Sequence, residues 1–177
     1  DMAGGEAQQL TTFPEGSIAD IQWSPKGDTL AISYRRTEEP YTHAAAEKRK
    51  ENKESDPPII TEEAWYRLDG DGYFGHARFQ LYLVDATNGN YKNIWKKDNM
   101  GFFSYCWSPK GDKIAIATNT SKNALYDSRH TKVVIHNVST GKNTVLPNTT
   151  KGPKDCIQWS PNAKWLAWAG REGDEST

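Results

Sequence analysis

One segment of this chain occurs three times, and that recurrence limits the possible folds more than any other feature. Ile21-Gln22-Trp23-Ser24-Pro25-Lys26-Gly27-Asp28-Thr29-Leu30-Ala31-Ile32 returns as Tyr105-Cys106-Trp107-Ser108-Pro109-Lys110-Gly111-Asp112-Lys113-Ile114-Ala115-Ile116. A looser copy runs Ile157-Gln158-Trp159-Ser160-Pro161-Asn162-Ala163-Lys164-Trp165-Leu166-Ala167-Trp168. A second element, Asp85-Ala86-Thr87-Asn88-Gly89-Asn90, is repeated as Asn137-Val138-Ser139-Thr140-Gly141-Lys142, and Gly5-Glu6 ends a similar N-terminal stretch. Eighteen residues separate Gly5 from Trp23, Gly89 from Trp107 and Gly141 from Trp159. From Trp107 to Gly141 the distance is 34 residues, whereas from Trp23 to Gly89 it is 66. The repeat therefore has a period of 52 residues, and its first copy carries a 32-residue insertion.

Each element has a mechanical reading. In Ser-Pro-Lys-Gly-Asp, proline presets one turn residue and glycine accepts positive φ, so the strand ending at tryptophan folds back on the Leu/Ile-Ala-Ile strand. Leu81 to Asp85 and Tyr91 to Trp95 flank Thr87-Asn88-Gly89 as a second hairpin, copied by Val133 to His136 and Asn143 to Leu146. Two hairpins in series make a four-stranded antiparallel meander. Such short strands, apolar on both faces, bury themselves only by stacking on the next copy. Seven Trp, eight Tyr and five Phe in 177 residues suit sheets better than a helical bundle. The expected fold is all-β, a partial β-propeller of four-stranded antiparallel blades with a charged helical or disordered insertion. Residues 1–12 are expected to be the last strand of a preceding blade, 17–96 a blade with its insertion at 35–66, 101–147 a second blade, and 154–169 the first half of another. A propeller closes with about four to eight blades, so the chain is expected to be part of a longer polypeptide.

Charge and composition remove other classes. A net charge of −1 gives no general attraction to nucleic acid or to an anionic membrane. No apolar run approaches the length of a membrane span, and the first residues lack the regions of a signal peptide, so the chain is expected to be soluble, its compartment unassigned. Cys106 and Cys156 lack CxxC spacing and are expected to be buried free thiols in matching strands. His43, His76, His130 and His136 are scattered without ligand spacing, so no metal and no cofactor is expected.

Within the insertion, Arg35 to Pro58 holds twelve charged residues in twenty-four, and Ala44 to Lys50 is a strong helix former. A solvated helix or mobile arm is the simpler reading of such mixed charge, a docking surface the other. Asp56-Pro57-Pro58 stops any helix. Ile59 to Leu68 then reads as a strand able to pair with Phe79 to Val84 across Asp69-Gly70-Asp71-Gly72-Tyr73.

The Trp-Ser-Pro-x-Gly repeats with Asp-x-x-x-Gly hairpins resemble the propeller repeats of TolB-like proteins and of the prolyl oligopeptidase family of serine peptidases. Ser55-Asp56-Pro57-Pro58-Ile59-Ile60-Thr61, followed by Trp65-Tyr66-Arg67-Leu68-Asp69-Gly70-Asp71-Gly72-Tyr73 and Leu81-Tyr82-Leu83-Val84-Asp85, resembles a segment of that family's acylaminoacyl-peptidase and dipeptidyl-peptidase-like branch. The resemblance implies a propeller that limits access to a C-terminal α/β-hydrolase domain, so that peptides reach its nucleophile. This sequence has no Gly-x-Ser-x-Gly, hence no nucleophile elbow, and no catalytic residue is assigned to it. By the same resemblance its partners are that hydrolase domain and a peptide substrate. The alternative is a non-enzymatic TolB-like propeller acting as an interaction scaffold. Exposed blade edges also predict self-association.

Four residues are candidates for substrate binding. Glu62 and Glu63 resemble the glutamate pair that holds a substrate's amino terminus in dipeptidyl peptidases, because two carboxylates accept charge-assisted hydrogen bonds from an ammonium. Neighbours on an extended segment point to opposite faces, and two strand-edge carboxylates are the simpler reading. Arg67 and Arg78 could meet a substrate carboxylate or the hydrolase domain. Asp69-Gly70-Asp71-Gly72 lacks the later oxygens of a calcium loop, with Tyr73 and Gln80 at the positions concerned, and reads as a turn. Ser139-Thr140-Gly141-Lys142 lacks the upstream glycine of a P-loop. Asn119, Asn137 and Asn148 begin glycosylation-type triplets of the sort an Asn- and Thr-rich chain produces freely.

Overall fold

The computed structural model describes residues 4–62, 67–69, 72–73 and 75–172. The chain is all-β, a partial propeller. Its first blade is built from β1 (Gly16–Trp23) and β2 (Thr29–Arg36); an insertion follows with helix α1 (His43–Asn52) and the short hairpin β3 (Arg67–Leu68) and β4 (Gly72–Tyr73); β5 (Gln80–Asp85) and β6 (Tyr91–Trp95) complete the blade. The second consists of β7 (Ser104–Trp107), β8 (Lys113–Asn119), β9 (Thr131–Asn137) and β10 (Asn143–Val145), and β11 (Lys154–Trp159) pairs with β12 (Leu166–Gly170). Every pairing is antiparallel between strands adjacent in space, β1-β2-β5-β6 and β7-β8-β9-β10.

The three Ser-Pro turns close in the same way. Ser24 N–H donates to Thr29 O at 2.8 Å, Ser108 N–H to Lys113 O at 2.9 Å and Ser160 N–H to Trp165 O at 2.9 Å. In the first two copies the serine hydroxyl donates to the turn aspartate, Ser24 to Asp28 at 2.8 Å and Ser108 to Asp112 at 2.7 Å. Asn162 takes that role for Ser160, and Ala163 adopts φ 58° where the other copies have glycine.

The blades stack through alternation of large and small side chains. Ile114 and Ile116 of β8, with Val134, Tyr105 and Trp107, pack on Ala31, Leu81, Leu83 and Trp95 of the first blade. The opposite face of the same strands, Ala115, Ala117, Val133 and Cys106, packs on Ile157 with Trp159, Leu166 and Trp168 around it. In both central strands alanine thus faces the next blade while leucine or isoleucine faces the previous one, which lets the sheets approach closely. Polar bonds also tie the first two blades: Tyr105 Oη–H donates to Ala31 O at 3.1 Å, Trp107 Nε1–H to Gln22 O at 3.3 Å, Gln22 Nε2–H to Tyr105 O at 3.0 Å and Trp95 Nε1–H to Thr118 Oγ1 at 3.0 Å. Trp107 is 8% exposed, whereas Trp23, on the outer face of the first blade, is 59% exposed beside Ile18 and Ile21.

Three local expectations need correction. Residues 4–12 form no strand; the segment runs irregularly past Gly89, and Phe13 stacks at 4.6 Å on Tyr34, capping the face of Leu30 and Ile32. Residues 59–62 form no strand either, and Arg67–Leu68 pairs with Gly72–Tyr73 instead of Phe79 to Val84. The reason is topological: β5 has β2 on one edge and β6 on the other, so it has no free ladder to offer. Cys106 is buried and free as expected, but Cys156 is exposed, because a bulge between Asp155 and Gln158 turns it out at φ 51°.

Candidate functional site

The antiparallel order sends the Ser-Pro turns and the Gly89 and Gly141 hairpins to one end of the blades. The insertion, the β8–β9 connection and the links between blades emerge at the other. The clefts lined by these connections gather at that second end. One of about 620 Å³ lies between the insertion and the first blade, lined by Tyr41, Pro58, Ile59 and Tyr73 from the insertion together with Arg35, Arg36 and His76.

The described part of the insertion is held by polar contacts, since α1 buries none of its residues. Thr42 caps the helix by accepting from Ala45 N–H, Glu15 Oε2 accepts from His43 N–H at 2.8 Å, and Arg49 Nη1 donates to Pro40 O at 2.7 Å. Lys53, at φ 57°, ends it. Glu38 closes the base: its Oε1 accepts from His76 N–H at 2.6 Å and Ala77 N–H at 2.7 Å, pinning the return arm of the insertion to the end of β2. Arg35 extends over the Phe79 ring at 4.6 Å.

A second cleft of about 350 Å³ adjoins this arm, lined by His76, Arg78, Asn99, Lys122, Ala124 and Leu125. Arg78 Nη1 donates to Gly75 O at 2.6 Å and to Ala77 O at 3.2 Å, which orients the guanidinium. Asn99 Nδ2 donates to Ser121 O at 2.9 Å and Thr120 O at 3.2 Å, fixing the loop that carries Lys122. Beneath that link sits Asp98, 4% exposed. Its Oδ1 accepts from Gly101 N–H at 2.6 Å and its Oδ2 from Thr118 Oγ1–H at 2.6 Å and Asn119 N–H at 2.9 Å, while Trp95 Nε1–H donates to Thr118 Oγ1. Burial nevertheless holds the Asp98 carboxyl above the usual carboxylate range, against the pull of those donors.

A third cleft, about 450 Å³, opens among the starts of β1, β7 and β11, with Phe79, Met100, Phe102, Phe103 and Lys154 in its lining. Lys154 is 6% exposed. Its ammonium donates to the carbonyls of Thr131, Thr150 and Gly152 at 2.9, 2.6 and 3.0 Å, clasping the link into β11 to the start of β9. Burial lowers its pKa.

The sequence-predicted residues scatter around these clefts. Glu62 is exposed and absent from the cleft linings, and Glu63 lies outside the described residues. Arg67 stands 5.8 Å from the ring centre of Tyr73, which lines the 620 Å³ cleft. Arg78 is the one described candidate in the lining of these clefts. Glu38, Asp98, Lys122 and Lys154, which the sequence reading passed over, are single polar residues that no motif marks; Glu38 reaches His76 and Ala77, Asp98 reaches Thr118 and Asn119, and Lys154 reaches Thr131, all more than fifteen residues away. Among the described residues no group of three His, Cys, Asp or Glu side chains comes together as a metal site; Gly70 and Asp71 of the Asp-Gly-Asp-Gly turn lie outside those residues. Among the same residues no helix is long and apolar enough to cross a membrane.

No protein-family model matches the chain. In sequence it is similar to dipeptidyl-peptidase 5 of Porphyromonas gingivalis, 24% identical over 167 residues, which cover 94% of this chain and 19% of that protein. It is also similar to the uncharacterized peptidase YuxL of Bacillus subtilis, 28% identical over 120 residues, 67% of this chain and 17% of that protein. The chain thus spans less than a fifth of the length of these curated relatives. Among solved structures, TolB from Acinetobacter baumannii superposes over 90% of this chain and 39% of its own, with a TM-score of 0.47 and 11% identity.

Proposed function

We propose that this chain is the non-catalytic propeller part of a serine peptidase acting on peptides, of the acylaminoacyl-peptidase or dipeptidyl-peptidase-like kind. The observation that carries the reading is the alignment of 94% of the chain with a protein named as a dipeptidyl-peptidase, of which it spans only 19%. Most of the relative's length lies beyond the match, room enough for a separate α/β-hydrolase domain. The blades would act by shape and orientation. Stacked sheets make a stiff wall, and the insertion, tied down by Glu38 and Glu15, narrows the end at which the clefts open. Extended peptides pass such a constriction and folded proteins do not, and a chain held on the wall approaches the nucleophile with less orientational freedom to lose.

Deleting residues 37–58 in the full-length protein tests this. The expected result is faster turnover of long peptides relative to short ones. Equal effects on both lengths would remove the gating role.

A further inference from the structure

We propose that the cleft between the return arm and the second blade is a subsite for a carboxylate of a bound peptide, beside the apolar cleft of the insertion. It rests on the peptide-handling reading above and adds a polarity to it. His76 lines both clefts, so the two lie side by side at that residue. At the insertion end the walls are Tyr41, Pro58, Ile59 and Tyr73, with Arg35 and Arg36 also in the lining. At the other end His76, Arg78 and Lys122 converge with Asn99, and none of the described residues lining it is an aspartate or glutamate. The chain as a whole carries a net charge of −1; what sets this end apart is cationic lining with no described carboxylate in it, whereas Arg35 and Arg36 share the other cleft with Glu38. The one carboxylate among the described lining residues of the apolar cleft is Glu38, whose Oε1 is already occupied by two backbone donors.

The cationic end is also held in place. The Arg78 guanidinium is oriented by the carbonyls of Gly75 and Ala77, and the Lys122 loop is braced by Asn99. A carboxylate arriving there meets a guanidinium and an ammonium whose supporting backbone is fixed before binding, which lowers the entropy lost on association. An extended peptide would thus lie with apolar side chains against the insertion and a carboxylate toward the second blade. The site is open to solvent, so the attraction is moderate and weakens with salt.

The test uses the full-length protein and fluorescence anisotropy of a fluorescein-labelled six-residue peptide of Ala, Ile and Tyr. The peptide is made with a free C-terminal carboxylate, as the C-terminal amide, and as the amide with an internal Glu. The expected result is that the free acid binds about tenfold more tightly than the amide, the combined effect of several exposed charge pairs, and that Lys122→Glu erases the difference. Recovery of affinity by the internal Glu extends the subsite to acidic side chains, and no recovery confines it to the chain terminus. Equal binding of acid and amide by the wild-type protein overturns the proposal without recourse to any variant, as does failure of all three peptides to bind. Discrimination between acid and amide without hydrolysis of any peptide sinks the peptidase reading and leaves the subsite standing. Hydrolysis with no discrimination does the reverse.

Discussion

Asp98 offers the sharpest test of how the blades position their connections. Asp98→Ala leaves two buried backbone donors, Gly101 N–H and Asn119 N–H, without the acceptor each has at 2.6 and 2.9 Å. A buried donor stripped of its acceptor costs about 1–3 kcal/mol, so the pair costs about 2–6. Relief from desolvating a charge offsets part of this, which puts the net loss near 3 kcal/mol. Asp98→Asn keeps the shape and one carbonyl oxygen. That oxygen serves either Gly101 or the Thr118 and Asn119 pair, while the amide NH₂ faces donors on the other side, so about half the loss remains. Urea unfolding followed by tryptophan fluorescence reads the stability, and hydrogen exchange at Gly101 and Asn119 reads the local effect. Because burial raises the Asp98 pKa above its unfolded value, its contribution is full below the unfolded pKa and diminishes as pH rises through the folded one. The gap between wild type and Asp98→Asn therefore widens on acidification toward about pH 4, the ordinary range of an aspartate. Wild-type stability of Asp98→Asn at neutral pH, with unchanged exchange at both amides, would refute the reasoning.

Three further outcomes are expected. Gly89 and Gly141 hold equivalent hairpin positions at φ 73° and 69°, but a Cβ on Gly89 meets Leu10 O while one on Gly141 meets nothing within 4 Å; both Ala variants lose about 1 kcal/mol to the left-handed backbone, and thermal melts should show Gly89→Ala losing clearly more. His136 is 2% exposed, and burial lowers its pKa, so its contribution is present above the unfolded value of about 6.5 and lost as pH falls, by at most about 1.4 kcal/mol per pH unit. His136→Val should flatten melting temperature between pH 7 and pH 5, and an unchanged slope counts against it. In Ser108→Ala the Asp112 carboxyl, held below the ordinary range chiefly by the Ser108 hydroxyl, should titrate at higher pH by NMR.

What could be read from the sequence follows the range of the interactions. The Ser-Pro turns were legible because donor, acceptor and backbone geometry lie within five residues, as Ser108, Asp112 and Lys113 show. The 52-residue offset also marks an exception within the repeat. It places His136 opposite Val84, and the structure shows both paired with the equivalent β-strand residues Ile114 and Leu30. A histidine at a core position, with Nδ1 on Asn143 and Nε2 buried without a partner, was therefore visible as a break in the repeat. For the described residues of the stretch, 59–62 and 67–68, the expected pairing with Phe79 to Val84 is not found, because strand propensity is silent about which ladder edges are already taken.

By itself the sequence determined the repeating unit, its turns and its inward-facing pattern, since a period-two strand closed by a local turn requires only near neighbours. Tertiary structure alone decided the candidate site. His76 and Arg78 share a cleft with Lys122, more than forty residues on, and Glu38 reaches Ala77 across thirty-nine. Contacts at that separation are set by how the sheets stack and where the insertion returns, which a pattern of neighbouring residues does not encode.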